Sequence, residues 1–452
     1  MKEIIASVSG VRGIIGDNLT PENIIKFTSA FATYCNKKSK SKTIVVGRDG
    51  RLGGEIISYA VISNLTLLGY RIIDIGVVPT PTVQIATEDT KSAGGIAITA
   101  SHNPQIWNGL KFLNADGTFL DGEQIKELIN TKKNIPYSDI FDIKPVIKDY
   151  TWIDKHIDKA LALKNIDSNR IRYRKFRIVV DAVNSSGSVV VPKLLKRLGC
   201  VVIKLYCDSS GIFPHTPEPL PHNLKKLSAA VLDNEADLGI AVDPDSDRLV
   251  LITNSGKPFS EENTIVAVLN NILRYAKGIN KSVVVNLSTT RAVDDIAKFY
   301  NAKVFRSPVG EINVVKEMKR VKAIAGGEGS GGVIIPGIHY GRDAIAGIAI
   351  ILQEFTDFKR TVDEYKNALP EYFITKDKIV LKGNPDIILN KIFKKYQSKN
   401  CKITTTDGIK LDFENFWIHL RKSNTEPIIR IITEAKTKAE AEKIQKEFIK
   451  SI

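Results

Sequence analysis

Cysteine is scarce: Cys35, Cys200, Cys207 and Cys401 are the only four among 452 residues, with no Cys-x-x-Cys pair and no histidine pattern beside them. That spacing excludes a zinc site of the usual kinds and a disulfide framework, and it leaves reduced, mostly buried thiols as the expectation. Long apolar runs are missing as well. No stretch reaches the roughly 18 apolar residues that a membrane-spanning helix needs, so a membrane partner is not expected. The opening MKEIIASVSG lacks the apolar core and small-residue cleavage site of a secretory signal, and the expected location is cytoplasmic. A G-x-S-x-G elbow is absent, which argues against Ser-His-Asp acyl chemistry. Acidic residues are in the minority, 50 against 65 Lys and Arg, for a net charge of +15. The basic residues are scattered over helical stretches, such as Lys193, Lys196 and Arg197 or Lys438, Lys443 and Lys446, rather than gathered in a stripe. No nucleic-acid partner is expected; a positive cleft for small anionic substrates fits the same charge.

What the chain has in quantity is a core-forming composition, 43% hydrophobic with 25% charged residues, in a length that implies three or four domains. A strand, helix, strand, helix, strand pattern recurs three times. The first copy runs from the strand Thr43 to Val46 to the strand Gly95 to Thr99 and ends in TASHNP, Thr99 to Pro104. The second opens at Phe176 to Val180, closes with Asp237 to Val242, and ends in DPDSDR, Asp243 to Arg248. The third opens at Ser282 to Leu287, closes with Ala323 to Ala325, and ends in GGEGSGG, Gly326 to Gly332. From about Glu371 the pattern changes to short alternating strands and a final Lys/Glu/Ala-rich helix. The expected fold class is α/β: three similar mixed α/β domains at 1–148, 149–253 and 254–368, plus a smaller C-terminal α+β domain at 369–452, around a central cleft. Ligands in open α/β sheets lie beyond the carboxyl ends of the strands, so three equivalent loops are natural walls of one site.

Ser101 sits at a strand end in a turn-rich loop that exposes its hydroxyl, with His102 beside it to orient it or to meet a transferred phosphate. Asp243, Asp245 and Asp247 alternate, an arrangement expected to set three carboxylates on one side of an extended segment. Hard oxygen ligands suit Mg²⁺, and a calcium loop is excluded because Arg248 and Asn254 stand where the required Gly and Glu would be. A phosphoryl group on Ser101 would complete the coordination, and its charge also calls for a nearby cation. In GGEGSGG, Glu328 and Ser330 offer a carboxylate and a hydroxyl to sugar hydroxyls, and Arg248, which closes DPDSDR, is expected to bind substrate with them. RKSNTEPIIR gathers Arg421, Ser423, Asn424, Thr425 and Arg430 around a turn able to clamp a phosphate. Arg12, between Gly10 and Gly13, is expected on a flexible loop. Lys111, in a strand running into an Asp116-Gly117 turn, is expected close to the serine loop. Either cation suits proton movement or stabilisation of a migrating phosphoryl group.

In order, SGVRG, GRDGR, TASHNP, NGLK, DPDSDR, GGEGSGG and RKSNTEPIIR resemble the signature set of the α-D-phosphohexomutase superfamily across essentially the whole chain, in the branch of phosphoglucomutase/phosphomannomutase and phosphoglucosamine mutase. The resemblance implies a phosphoserine at Ser101, Mg²⁺ held by it with Asp243, Asp245 and Asp247, and sugar recognition by Glu328 and Ser330. Phosphate recognition would fall to Arg421, Ser423, Asn424, Thr425 and Arg430. It further implies transfer through a hexose 1,6-bisphosphate, glucose or mannose phosphates as substrates with glucosamine phosphate as the alternative, phosphosugars as the only partners, and a monomer or homo-oligomer. Two positions depart from the commonest pattern: Gly332 replaces a frequent histidine, and Ile312 a frequent Lys or Arg.

Overall fold

The three repeats fold into three sheets with one connectivity. The computed structural model describes residues 4–7, 10–131, 134–278, 281–380, 385–422 and 428–451. In the second sheet, strand Arg177–Asp181 pairs in parallel with Val201–Tyr206 on one side and Leu238–Val242 on the other, and Leu238–Val242 then turns back antiparallel into Leu249–Thr253. The third sheet repeats this with Ser282–Asn286 between Lys303–Ser307 and Ala325–Glu328, which turns back into Gly332–Ile334. The first sheet repeats it again with Thr43–Arg48 between Arg71–Val77 and Gly94–Ile98, which turns back into Trp107–Leu113. This sheet is longer, with Gly10–Ile14, Ile5–Ser7 and Val146–Lys148 added at its edges. Central strands such as Leu238–Val242 are buried at every residue because helices cover both faces, and their sequences are therefore continuous apolar runs. In each unit the chemistry-bearing loop is the turn that reverses the chain after the third strand.

The fourth domain is a five-stranded antiparallel sheet in the order Phe373–Val380, Ile428–Ala435, Trp417–Lys422, Ile409–Asp412, Lys402–Thr404, with helices Pro385–Tyr396 and Lys438–Lys450. The final helix is the one the sequence pattern announces; Pro385–Tyr396 is an addition to it. Two more additions carry recognisable caps: Pro21–Lys38 starts on Thr20, and Gly122–Asn130 opens on an Asp121–Gln124 capping box. Helix Ala344–Phe358 is a further addition. It is apolar nearly all round and is accordingly buried nearly all round, packed against the third domain's Glu261–Tyr275 and the second domain's Trp152–Leu161. Its N-cap, Asp343, accepts from Ile345 N and Ala346 N and also from His156 Nε2 at 2.9 Å, while Thr82 Oγ1 meets the other ring nitrogen of His156 at 2.9 Å. Residues from three domains thus share one buried chain of hydrogen bonds. Cys35 and Cys200 are buried and all four cysteines are free. No helix among the described residues is long and apolar enough to cross a membrane.

Candidate functional site

The serine loop is held from beneath. Ser101 has φ of +50°, a left-handed conformation that lifts its side chain out of the turn, and the surrounding bonds fix it there. Ser101 N donates to Thr99 Oγ1 at 2.8 Å, and Thr99 Oγ1 donates to Asp49 Oδ2 at 2.6 Å. Arg51 grips the same Asp49 at 2.8 Å and donates to the carbonyls of Ser101 and Trp107. GRDGR, a motif whose residue types alone suggest no task, is therefore the platform of the nucleophile loop. Ser101 Oγ lies 3.1 Å from Asp243 Oδ2 and 3.3 Å from His102 Nδ1. Burial, then Arg248 and Arg12, push the His102 ring down to about 3, so it is neutral.

Arg12 does not stand on a flexible loop. It belongs to strand Gly10–Ile14, opposite Gly109 of Trp107–Leu113, and its guanidinium donates to Asn103 Oδ1 of the serine loop at 2.7 Å. Lys111, in the same strand as Gly109, reaches Asp245 Oδ2 at 2.6 Å and Asp247 Oδ2 at 3.6 Å.

The three aspartates do converge, but through a turn rather than an extended segment. Ser246 has φ of +53°, Ser246 N donates to the Asp243 carbonyl at 2.9 Å, and Asp247 N and Arg248 N both donate to Asp243 Oδ1. Ligand oxygens of Asp243, Asp245 and Asp247 lie within 4.8 Å of one another and all three residues are buried. Burial, then Asp247 and Asp245, raise the Asp243 carboxyl well above its ordinary range. Burial pushes Asp245 the same way, but Lys111 and the Thr80 hydroxyl, 2.7 Å away, outweigh it and hold that carboxylate low. Asp245 Oδ1 and Asp247 Oδ1 are buried and accept no hydrogen bond among the described residues. Such orphaned carboxylate oxygens are costly, and a hard divalent cation satisfies them, so the donor set fits a bound metal ion.

Arg342 is invisible to sequence reasoning. Its guanidinium donates to Asp247 Oδ2 at 2.6 Å and Glu328 Oε2 at 2.9 Å and has Glu311 Oε2 as an ion-pair neighbour at 3.2 Å, joining the aspartate turn to the glycine-rich segment. It also explains Gly332: a Cβ there would lie 2.3 Å from Arg342 Cδ, so Arg342 occupies the room a side chain at 332 would need. Burial pushes Glu311 up to about 7, with Arg342 pulling the other way. Glu328 is not in a loop, since strand Ala325–Glu328 takes up the first glycines of GGEGSGG and only Gly329 to Gly331 turn. Its Oε1 accepts from Asn286 Nδ2 at 2.9 Å and Gly310 N at 3.0 Å. Gly329 packs directly on the buried Glu262 carboxylate, which a Cβ would approach to 1.9 Å, so a side chain at 329 would have to displace it.

These residues line one cleft of about 690 Å³, which brings together Arg12, Ser101, His102, Lys111, Arg248, Glu328, Ser330, Arg421 and Arg430. Ile312 lines it too, as an apolar wall. Arg421 and Arg430 face each other across adjacent strands, a like-charge pairing that disfavours the sheet unless an anion or acid lies between; Asp407 meets Arg421 Nε at 2.8 Å. Ser423, Asn424 and Thr425 lie outside the described residues. Arg248 stands 13% exposed between Glu218 at 3.6 Å and Asp247 at 4.0 Å. The arrangement gathers into one cleft a buried hydroxyl beside a metal-fitting cluster, two arginines and several hydrogen-bonding groups: the layout for moving a phosphoryl group on a small polar molecule.

Comparison with known proteins agrees with this geometry. Residues 4–138, 154–256 and 261–373 match the phosphoglucomutase/phosphomannomutase alpha/beta/alpha domains I, II and III, and residues 377–451 match the C-terminal domain of the same family. A Thermococcus kodakarensis protein named phosphoglucomutase/phosphomannomutase is 36% identical over 442 residues, 96% of this chain and 94% of that one. A probable phosphoglucosamine mutase of Methanopyrus kandleri is 33% identical over 98% of this chain and 96% of its own length. A Burkholderia thailandensis phosphoglucomutase/phosphomannomutase family protein shares the fold with a TM-score of 0.85 at 24% identity, covering 98% of this chain and 96% of the other. With four consecutive domain matches and relatives aligned end to end, the chain belongs to the phosphoglucomutase/phosphomannomutase family of the α-D-phosphohexomutase superfamily and is a phosphohexomutase.

Proposed function

We propose that this phosphohexomutase interconverts the 1- and 6-phosphates of glucose and mannose through a phosphorylated Ser101 and a hexose 1,6-bisphosphate. The observation that carries the reading is the seat of Ser101: its Oγ lies 3.1 Å from Asp243, in a cluster that keeps two buried carboxylate oxygens without partners among the described residues. Asp243, Asp245 and Asp247 would hold Mg²⁺ together with an oxygen of the phosphoserine. Bound there, the ion supplies charge neutralisation and polarises the phosphoryl group. Lys111 and Arg12 approach the serine loop from adjacent strands, where their charges stabilise the oxygens of the group in transit. His102, neutral and 3.3 Å from Oγ, orients the hydroxyl. Glu328 and Ser330 bind sugar hydroxyls at the middle of the cleft. Arg421 and Arg430, with Ser423, Asn424 and Thr425, hold the phosphate that is not reacting. One donor and one phosphate clamp then serve both ends of the sugar, provided the bisphosphate turns within a cleft that excludes water.

A second reading takes glucosamine phosphate as substrate. Five carboxylates, Glu218, Glu262, Glu311, Glu328 and Asp377, line the cleft and suit a sugar ammonium, and the Methanopyrus relative carries the phosphoglucosamine name. Glucose, mannose and glucosamine 1-phosphates, each assayed with Mg²⁺ and a trace of the matching bisphosphate, separate the two: turnover of the neutral sugars supports the first, turnover of glucosamine 1-phosphate alone the second. Ser101→Ala is expected to lose turnover on every sugar, and phosphate incorporation from the bisphosphate, while keeping its far-ultraviolet circular dichroism. Activity retained in that variant would remove Ser101 from the mechanism.

A further inference from the structure

A second cavity, of about 600 Å³, opens between the third and fourth domains and contains none of the residues of the cleft just described. Its floor is Lys410, in strand Ile409–Asp412, a lysine only 1% exposed. A buried ammonium has three protons to place, and this one makes no hydrogen bond among the described residues. Its nearest acid, Asp412 Oδ1, is 3.6 Å away and is shared with Arg291 at 3.3 Å; on another side Lys410 Nζ faces the Trp417 ring, 4.5 Å from its centroid. Leaving a charge buried with so little compensation is expensive, and burial, then Arg306, push Lys410 down to about 7.

The neighbouring charges do not remedy this. Arg291 is spent largely on the carbonyls of Phe413, Glu414 and Phe416, and Arg306 on those of Asn286, Thr289 and Thr290 and on Asp294. Arg306 is thus paired with Asp294 and Arg291 with Asp412, which leaves Asp412 only partly available to Lys410. Asp295 accepts the Tyr372 hydroxyl at 2.9 Å, and Lys436 lies over the Tyr372 ring at 3.7 Å. The cavity is lined by five cations, Arg291, Arg306, Lys402, Lys410 and Lys436, against four acids, Asp294, Asp295, Asp412 and Glu414, and the most buried of the cations has open donors beside a volume large enough for a small metabolite.

We propose that this cavity is a second anion site, taking a phosphate group, free or carried on a small metabolite, against Lys410 with Lys402 and Lys436 at its rim. An anion there lies across the seam of the two domains. Lys410 is paired across the sheet with His419, whose Nδ1 meets Ser288 Oγ at 2.8 Å, and Ser288 lines the catalytic cleft. Occupancy therefore fixes how the fourth domain, bearing Arg421 and Arg430, is seated on the third.

The test uses the full chain labelled with ¹³C at lysine Cε, the Lys410 resonance being the one missing from Lys410→Arg. Inorganic phosphate is expected to shift that resonance saturably, with a midpoint that changes less than about two-fold in Arg430→Ala, a variant weakened in the cleft instead. Glycerol 1-phosphate run in parallel distinguishes free phosphate from a phosphate ester by which has the lower midpoint. Lys410→Met, close in volume and without the charge, is expected to fold and to lose at least about half of the phosphate-dependent rise in melting temperature. A Lys410 resonance that stays fixed at saturating phosphate and ester, or one whose midpoint follows Arg430→Ala, would overturn the proposal.

Discussion

Arg342 ties the aspartate turn to Glu328 at the end of its strand and to Glu311 at the start of its helix. Taking it away strands Asp247, Glu328 and Glu311 as buried carboxylates with reduced compensation, and breaking a buried ion pair from one side costs about 3–5 kcal/mol. Arg342→Met is therefore expected to lower the urea midpoint by a cost of that order and to weaken Mg²⁺-dependent stabilisation, whereas Arg342→Lys, which keeps the charge but not the fork, recovers only part of either. An unchanged midpoint in Arg342→Met would mean that the three acids protonate or find other partners without penalty. At this scale the sequence exposes residues that sit in dense local motifs. Ser101, the three aspartates, Glu328 and Ser330 can be named from it because each motif combines unusual residue types within a short stretch. Arg342 belongs to no such motif; its partner Asp247 is 95 residues away, and only packing brings them together.

Loops and strands decide where those side chains point. Period-two alternation in DPDSDR suggests an extended segment, and the structure shows a turn around a left-handed Ser246 in which Asp243 caps the amides of Asp247 and Arg248. The carboxylates converge either way, but only the turn lets one of them also accept from the backbone. The glycines of GGEGSGG mislead in the opposite direction: Gly326 and Gly327 continue a strand, Gly326 paired between Val284 and Ile334 and packed on Met318, Gly327 paired between Val285 and Val333 and packed on Ile265. The loop after Tyr206 carries a titratable tie, His215 Nε2 to Asp181 Oδ2 at 2.8 Å. Burial lowers the His215 pKa, but the bond to Asp181 and its charge raise it further, to a net value above the ordinary 6.5. The folded state thus holds the proton more tightly than the unfolded one. The tie contributes fully below about pH 6.5 and is lost as pH rises through the elevated folded value. His215→Gln is expected to flatten the fall in unfolding free energy across that window, measured by urea melts from about pH 5.5 to about 8.5; an identical slope in both proteins would show that the tie does not titrate there.

At the scale of the whole molecule, one apolar cluster runs without a break from the first domain through the second to the third, joining Val45, Leu194, Ile265, Leu352 and Leu369, while the fourth domain closes on a separate core of Leu411, Leu420, Ile431 and Phe448. A chain ended just after Tyr372, the last residue packed against the shared core, is accordingly expected to stay folded and cooperative but to lose turnover, because Arg421 and Arg430 go with the missing part. Calorimetry of the full chain should resolve the fourth domain as a separate transition; a single two-state melt, with an insoluble truncated chain, would show that the seam is as strong as the cores. The repeated unit, the order of the four motifs and the chemistry each can perform are all legible in the sequence, because apolar periodicity and residue type act locally and survive being read one stretch at a time. That GRDGR is the floor under Ser101, that Arg342 fills the space above Gly332, and that Lys410 faces a cavity are settled by the fold alone. Each of those depends on atoms from distant segments meeting at a few ångströms, and that distance is set by how the domains pack.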